Sequence, residues 1–422
     1  MDVSLAAQTA YADLLDRAAA AAFERDFVDE GNFVAKERRG RRYWYFERKT
    51  DEGYHQKYVG VETPDLLQRI RRHKHVRDNA RDRQRVVASL VRQNLLPRPV
   101  HEMAQLLAAL SHAGVFRLGA VLVGTTAYQT YSAMLGRRLP KAALQTGDVD
   151  VAQARDISIA VGDRTPPMLE VLKEVDPSFR EVPKLSAKHA TSYVARGGLR
   201  VDVVAQDYLI EDSVPAVLLH GTGIHVRVPA PARYALHKLI VARRRPEGNV
   251  KREKDLLQAK ELLHILAERR QNELKAAWED CWARGPKWRT LLTEGLARID
   301  AAVRDGVLLC VGQPRSILPG VALKIGPSRL RHDFDSDTIT FLAEDAGRAV
   351  RCAIGRTALD DHFKPEERDK EGRLRVVREH REQIERLMTL KYLRLPIEHI
   401  GAVLITTRDM QELLRLDRAG GR

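Results

Sequence analysis

VLVGTTAYQTYSAMLG (residues 121–136), TGDVDVA (residues 146–152) and GGLRVDVVA (residues 197–205) decide how this chain is read. Asp148 and Asp150 stand two residues apart in an alternating stretch. On a strand, positions i and i+2 share a face, so both carboxylates point one way while Val149 and Val151 enter the core. The same alternation sets Asp202 against Val201 and Val203 and makes it the candidate third carboxylate, on a neighbouring strand. Hard oxygen ligands of this kind suit Mg²⁺ or Mn²⁺, and phosphoryl and nucleotidyl transfer need such a cation to neutralise a triphosphate. Upstream, VLVGTTAY sets a strand, a glycine and two hydroxyl residues directly before a helix. The unpaired N–H groups of a helix N-terminus favour a phosphate, Gly124 permits close backbone approach, and Thr125 or Thr126 can bond a phosphate oxygen. Singly, these residues have plainer readings, Thr125 as a helix N-cap and the aspartates as turn or rim residues. Their joint presence, in this order, favours a site.

A strand ending in glycine and a hydroxyl residue, then Asp-x-Asp, then a lone Asp on a later strand resembles the polymerase-beta-type nucleotidyltransferase superfamily. Within it, VGTTAYQTYSAMLG followed by TGDVDVA is similar to a bacterial family of nucleotidyltransferases. The likeness runs from about residue 25 to about residue 270 and includes the aromatic hairpin RRYWYF…QKYVG. Most of the superfamily carries Gly-Ser or Gly-Gly where this chain has Gly124-Thr125, so the hydroxyl is kept. The resemblance implies an α+β fold with a mixed sheet flanked by helices. It also implies metal-assisted attack of an acceptor hydroxyl on the α-phosphate of a nucleoside triphosphate. Asp148, Asp150 and Asp202 would be the catalytic metal ligands, and Gly124, Thr125 and Thr126 would orient the triphosphate. A second likeness, to nucleotidyltransferase toxins of abortive-infection systems, rests on PARYALHKLIVARRR…KREKDLLQA. It implies Lys238 as a phosphate-binding cation and Asp255 as a supporting carboxylate; the competing readings are a solvated lysine and a surface ion pair.

Around this centre the chain reads as four parts. Residues 1–100 hold a helix ending near Gly31, a hairpin-like sheet of about three strands over residues 32–63, and a basic helix opened by Pro64. Residues 101–300 hold the nucleotidyltransferase domain with a helical tail, and residues 301–330, rich in Gly and Pro, read as a linker. A small α+β domain follows at residues 331–415. Its stretch TITFLAEDAGRAVRCAIGRTALDDHF resembles a small bacterial domain of unknown function, with a strand pair turning at Asp345-Ala346-Gly347.

Charge, with 71 basic residues against 57 acidic ones leaving +14, fits either a polyanionic partner or an excess that only keeps the protein soluble. The hairpin interleaves Tyr43, Trp44, Tyr45 and Phe46 with Lys36, Arg38, Arg39, Arg41, Arg42, Arg48 and Lys57, a pattern suited to stacking bases and contacting phosphates of an RNA or DNA acceptor. Only one alternation of those aromatics can face inward, either Trp44 with Phe46 or Tyr43 with Tyr45. His73 and His75 would point to different faces of a helix and do not suggest a metal site. Three scattered cysteines support neither a disulfide framework nor a zinc site. No apolar run approaches the roughly 18 residues of a membrane span, and the N-terminus lacks a signal-peptide pattern, so a cytoplasmic protein is expected. Oligomeric state and the nucleotide used stay open. The reading from a different class is a catalytically silent protein of this fold that binds nucleic acid; a toxin-like enzyme modifying RNA or a protein is a variant of the main one.

Overall fold

The computed structural model describes residues 1–26, 32–38, 41–50, 53–72, 80–140, 148–152, 168–183, 191–204, 207–326, 330–397, 399 and 401–420. It is a mixed α+β structure and divides into two compact units, Met1–Tyr234 and Ala235–Arg422.

In the first unit, α1 (Leu5–Asp26) begins a core because Val3, Ala7, Tyr11, Leu14 and Ala18 recur at helical spacing. They meet Val87 and Leu90 of a later helix, together with Val217. Tyr11 ties the two segments, its hydroxyl accepting from Val217 N at 3.1 Å. Burial pushes the Tyr11 hydroxyl up to about 12. β1 (Asn32–Arg38), β2 (Arg41–Thr50) and β3 (Gly53–Val61) then form the expected antiparallel three-stranded sheet. The alternation left open by the sequence resolves with Trp44 and Phe46 inward, packed with Phe23 of α1 and Val59. Tyr43 and Tyr45 lie with Tyr58, at ring distances of 6.5 and 5.6 Å, and Lys36 sits over the Tyr45 ring. The basic helix expected from Pro64 is described in two pieces, α2 (Pro64–Arg72) and α3 (Ala80–Arg92); His73 and His75 lie outside the described residues.

After α4 (His101–His112), β4 (Val121–Val123) leads into α5 (Gly124–Met134), and the chain goes on through β5 (Asp148–Ala152), α6 (Met168–Val175), β6 (Arg180–Pro183), β7 (Thr191–Val194) and β8 (Arg200–Val204). These strands make one mixed sheet in the order β4-β5-β8-β7-β6, with β5 and β8 parallel and the other neighbours antiparallel. Val149, Val151 and Val201 are fully buried, as alternation requires of their face. Short α7 (Asp207–Ile210) and the hairpin β9 (Val214–Leu218) with β10 (Ile224–Val228) complete the unit. The division between units falls within α8 (Pro231–Arg244).

The second unit continues with α9 (Val250–Arg269), α10 (Gln271–Ala283) and α11 (Pro286–Leu296), so the helical tail expected toward residue 300 is made of three helices, with Pro286 opening the last. Residues 301–330, expected as a linker, instead carry α12 (Ala301–Cys310) and β11 (Lys324–Ile325). Asp300 caps α12 by accepting from Ala302 N at 2.9 Å. Gly306 lies inside α12, which packs against α9, so tertiary packing outweighs its poor helix propensity. β12 (Arg331–Asp333), β13 (Thr338–Asp345) and β14 (Arg348–Gly355) follow, the last two turning at Ala346-Gly347 as expected. β13 also pairs with β11 and β12, and after α13 (Arg356–His362), α14 (Lys370–Glu379) and α15 (Arg381–Arg394), β15 (Val403–Ile405) adds to β14 in parallel. α16 (Thr407–Gly420) ends the described chain. Cys281, Cys310 and Cys352 are free thiols. Among the described residues, no helix is long and apolar enough to cross a membrane.

Two histidines make the fold acid-sensitive. Burial, with Arg69 and Arg227 near His225 and Lys238 and Arg244 near His237, pushes both rings from 6.5 down to about 3. Because the folded value is the depressed one, their contribution is present above pH 6.5 and is lost as pH falls toward 3, at up to ~1.4 kcal/mol per pH unit for each ring. The melting temperature should therefore fall between about pH 6.5 and pH 4. A His225→Phe, His237→Leu double variant should show a shallower fall, and equal slopes in thermal melts would refute the assignment.

Candidate active site

Strand register brings the carboxylates together. Asp150 of β5 is the direct partner of Asp202 in parallel β8, and Asp148 is the partner of Arg200. Partners in adjacent strands share a face, so the backbone sets Asp148, Asp150, Arg200 and Asp202 on the side opposite the buried valines. The Asp148 side chain lies outside the described residues. β4 borders the pair on the other side, with Val123 opposite Asp150.

Gly124 follows Val123 at once and opens α5 with φ +69°. A Cβ placed there would overlap the Asp150 carboxylate, so both the backbone angle and the space demand glycine. Tyr234 fixes this turn, its hydroxyl donating to the Gly124 carbonyl at 2.8 Å. The Tyr234 ring stacks on Tyr128 at 6.0 Å and meets Tyr131 edge-on at 5.1 Å. Tyr131 in turn donates to the Pro229 carbonyl at 2.9 Å, and burial raises its hydroxyl well above the ordinary value. The strand-to-helix turn is therefore clamped from behind by a buried aromatic cluster. Nothing in the motif spacing pointed to Tyr234, which joins the turn only through folding.

The two threonines part company. Thr126 is fully buried with its hydroxyl on Met103 Sδ at 3.2 Å, which removes it from the groups expected to meet a phosphate. Its place on the inward side of α5's first turn is the cause. Thr125 keeps a small exposure of 7%, and no side chain caps the helix. The N-cap reading of Thr125 therefore fails, since α5 starts one residue earlier and Val123 holds the cap position.

Asp202 already has partners. Arg200 Nε lies 3.0 Å from its Oδ2, and the buried Ser192 hydroxyl of β7 donates to its Oδ1. Arg200 also reaches Ser192 Oγ at 3.2 Å. Both neighbours were legible in principle, because Arg200 precedes Asp202 by two positions and shares its face, but the sequence reading passed over them. Their effect is to hold a carboxylate in one orientation beside Asp150 under a half-exposed guanidinium.

Lys238 and Asp255 belong to the second unit and meet each other there, Nζ to Oδ1 at 2.6 Å. Asp255, 3% exposed, also accepts from Arg245 Nε at 2.6 Å. Neither competing reading is met: the lysine is not solvated, and the pair is not on the surface. Among the described residues no group of three metal-ligating side chains is assembled.

Residues 101–207 and 204–283 match a family model described as nucleotidyltransferase, a span that starts after the N-terminal arm and takes in all eight candidate residues. Residues 327–405 match a model for a protein of unknown function. A search of curated proteins finds no match. Among solved structures, an antigenic nucleotidyltransferase-like protein from Paracoccidioides brasiliensis is similar at 15% identity and a TM-score of 0.27, over 46% of this chain and 94% of that one. The segment that holds the carboxylate face, residues 101–283, thus matches the nucleotidyltransferase family, and residues 327–405 match a family of unknown function.

Proposed function

We propose that this protein transfers a nucleoside monophosphate from a nucleoside triphosphate to a hydroxyl of an RNA or protein acceptor. The register of Asp150 with Asp202, with Gly124 closed against Asp150, is the observation that carries the reading. Asp148, Asp150 and Asp202 would hold Mg²⁺ or Mn²⁺; the donor set is carboxylate oxygen, which fits hard cations, and the face already draws the cationic Arg200. The cation, when bound, supplies neutralisation of the triphosphate charge. The first turn of α5 offers its N–H groups to phosphate oxygens, Thr125 adds a hydroxyl, and Tyr234 keeps the turn in place. Asp202 takes the proton as the acceptor oxygen forms its bond to the α-phosphorus; the bond to the bridging oxygen breaks and pyrophosphate leaves. The Tyr43, Tyr45 and Tyr58 face of the N-terminal sheet, with Lys36, suits an RNA or DNA acceptor. A toxin-like role would be this same chemistry on an RNA or protein whose modification arrests growth. On this reading the arm of residues 1–100 serves acceptor binding, and residues 331–415 act as an accessory module.

The ion pair of Arg200 with Asp202 favours one second reading, a catalytically silent protein of this family that binds nucleic acid. One experiment separates the two: the purified protein is incubated with each labelled nucleoside triphosphate, Mg²⁺ or Mn²⁺, and total RNA, beside an Asp150→Ala control. Label transfer that the control loses supports the enzyme. Absence of transfer, together with no metal-dependent nucleotide binding by calorimetry, supports the silent reading.

Gly124→Ala tests the turn. Forcing a Cβ into the left-handed region costs about 1–2 kcal/mol, and displacing Asp150 lowers transfer on the order of 100-fold. Thermal melting and transfer rates measured on the same preparation check both; an alanine variant of full activity would show that the glycine has no part in placing Asp150.

A further inference from the structure

The first unit contains a cavity of about 430 Å³ to which none of the carboxylate-face residues contributes. Lys57 of β3, Arg83 of α3, His112 of α4, and His220 and His225 around the β9–β10 turn line it together with the hydroxyl residues Ser111 and Thr222, and no carboxylate is among the described residues that line it. Ala18, Ala21 and Ala22 of α1 and Ala108 of α4 give it an apolar lining, where any larger side chain would take up the space. A second cavity, of about 330 Å³, shares His220 and Gly221 with the first and adds Arg92 and Arg98. Among the described residues the charged side chains lining both cavities are cationic, and a cleft so lined favours anions.

An independent feature points to a ligand. Nε2 of His225 is buried against this cavity and has no hydrogen-bond partner among the described residues, while the backbone carbonyl of the same residue accepts from Ser111 Oγ at 2.7 Å. Buried ring nitrogens are ordinarily satisfied, and one left open calls for a partner from outside. With its pKa pushed down to about 3, the ring is neutral at pH 7 and offers hydrogen-bonding capacity without charge. A purely ionic site for inorganic phosphate would need neither the alanine lining nor a neutral imidazole. A heterocyclic base joined to a phosphate uses both, and the volume lies within the range of small-ligand pockets.

We infer that this cavity binds one nucleotide unit, separately from the carboxylate face. The base lies against Ala18, Ala22 and Ala108 and hydrogen-bonds to His225 Nε2, while the phosphate meets Lys57, Arg83 and His112. Where the unit belongs to a single strand, the next phosphate meets Arg92 and Arg98. The inference does not rest on nucleotidyl transfer, so its test uses the Asp150→Ala protein in EDTA, where transfer cannot take place.

Fluorescence anisotropy is measured with two probes, a labelled nucleoside monophosphate and a labelled single-stranded RNA of roughly ten nucleotides. Ala22→Phe fills the cavity without changing charge, and His225→Phe replaces the imidazole by an apolar ring with no hydrogen-bonding nitrogen; each should weaken binding at least tenfold. Monophosphate binding that both variants weaken identifies a free nucleotide as the occupant, and binding of the RNA alone identifies a strand. Where Ala22→Phe also lowers the melting temperature, the His225→Phe result decides. Binding of neither probe, or unchanged affinity in the variant that keeps its fold, overturns the assignment.

Discussion

Replacing Asp150 by alanine lowers transfer of label from a nucleoside triphosphate by about a thousandfold or more, equivalent to ~4 kcal/mol of transition-state stabilisation, while the melting temperature stays level or rises. The two halves have one cause. Asp150 stands in direct register with Asp202, with Asp148 two residues along the same strand, so the register sets three carboxylate positions on a face they share with Arg200, which pairs with Asp202. Like charges opposite each other on a sheet destabilise it by about 0.2–1 kcal/mol per pair. A fold keeps such a cluster for its chemistry, at some expense in stability. The variant is examined by transfer assay and by thermal melting together. Transfer retained at the wild-type rate would move the chemistry away from β5 and β8. Loss of transfer accompanied by a large fall in melting temperature would instead make Asp150 a structural partner of the Gly124 turn.

The largest stability effect belongs to the second unit. Arg304 of α12 is fully buried and donates to Asp345 at the end of β13, with its Nη1 3.2 Å from Oδ1. Tyr392 of α15 also donates to Asp345, at 2.7 Å, and accepts from Arg348 at 2.6 Å. Asp305 joins the same cluster, receiving Arg315 at 2.9 Å and Arg348 at 2.7 Å. Burial and the two carboxylates hold the Tyr392 hydroxyl above its ordinary range, so it stays a neutral donor. Asp345→Ala leaves the Arg304 guanidinium buried without its main counter-charge and costs about 3–5 kcal/mol, the usual price of breaking one partner from a buried pair. Asp337→Ala is the contrast: Asp337 is 42% exposed in its pair with Arg356, and its loss changes stability by no more than about 1 kcal/mol. Chemical denaturation midpoints report both, and similar shifts for the two variants would show that burial does not set the strength of the Arg304 cluster.

Local pattern and tertiary structure contributed different things. Alternation alone located β5 and β8 and set Asp148, Asp150 and Asp202 against the valines, because side chains on a strand must point to alternate faces whatever the strand packs against. Gly124 was singled out for close backbone approach, and the structure adds that its backbone is left-handed, a conformation that glycine adopts without strain. The hairpin at Ala346-Gly347 and the three strands after residue 32 followed from similar short-range rules. Distant contacts carried no such signature. Which aromatic pair of β2 faced inward depended on Phe23 of α1, and the helix within residues 301–310 on packing that excuses Gly306. The Thr126 hydroxyl turned to Met103, Tyr234 came to hold the Gly124 carbonyl across 110 positions, and Lys238 found Asp255 inside the second unit. A strand's period is a property of adjacent residues and can be read from them. The partner of a buried hydroxyl or charge is decided by which elements the whole core brings together, and only the folded chain reveals it.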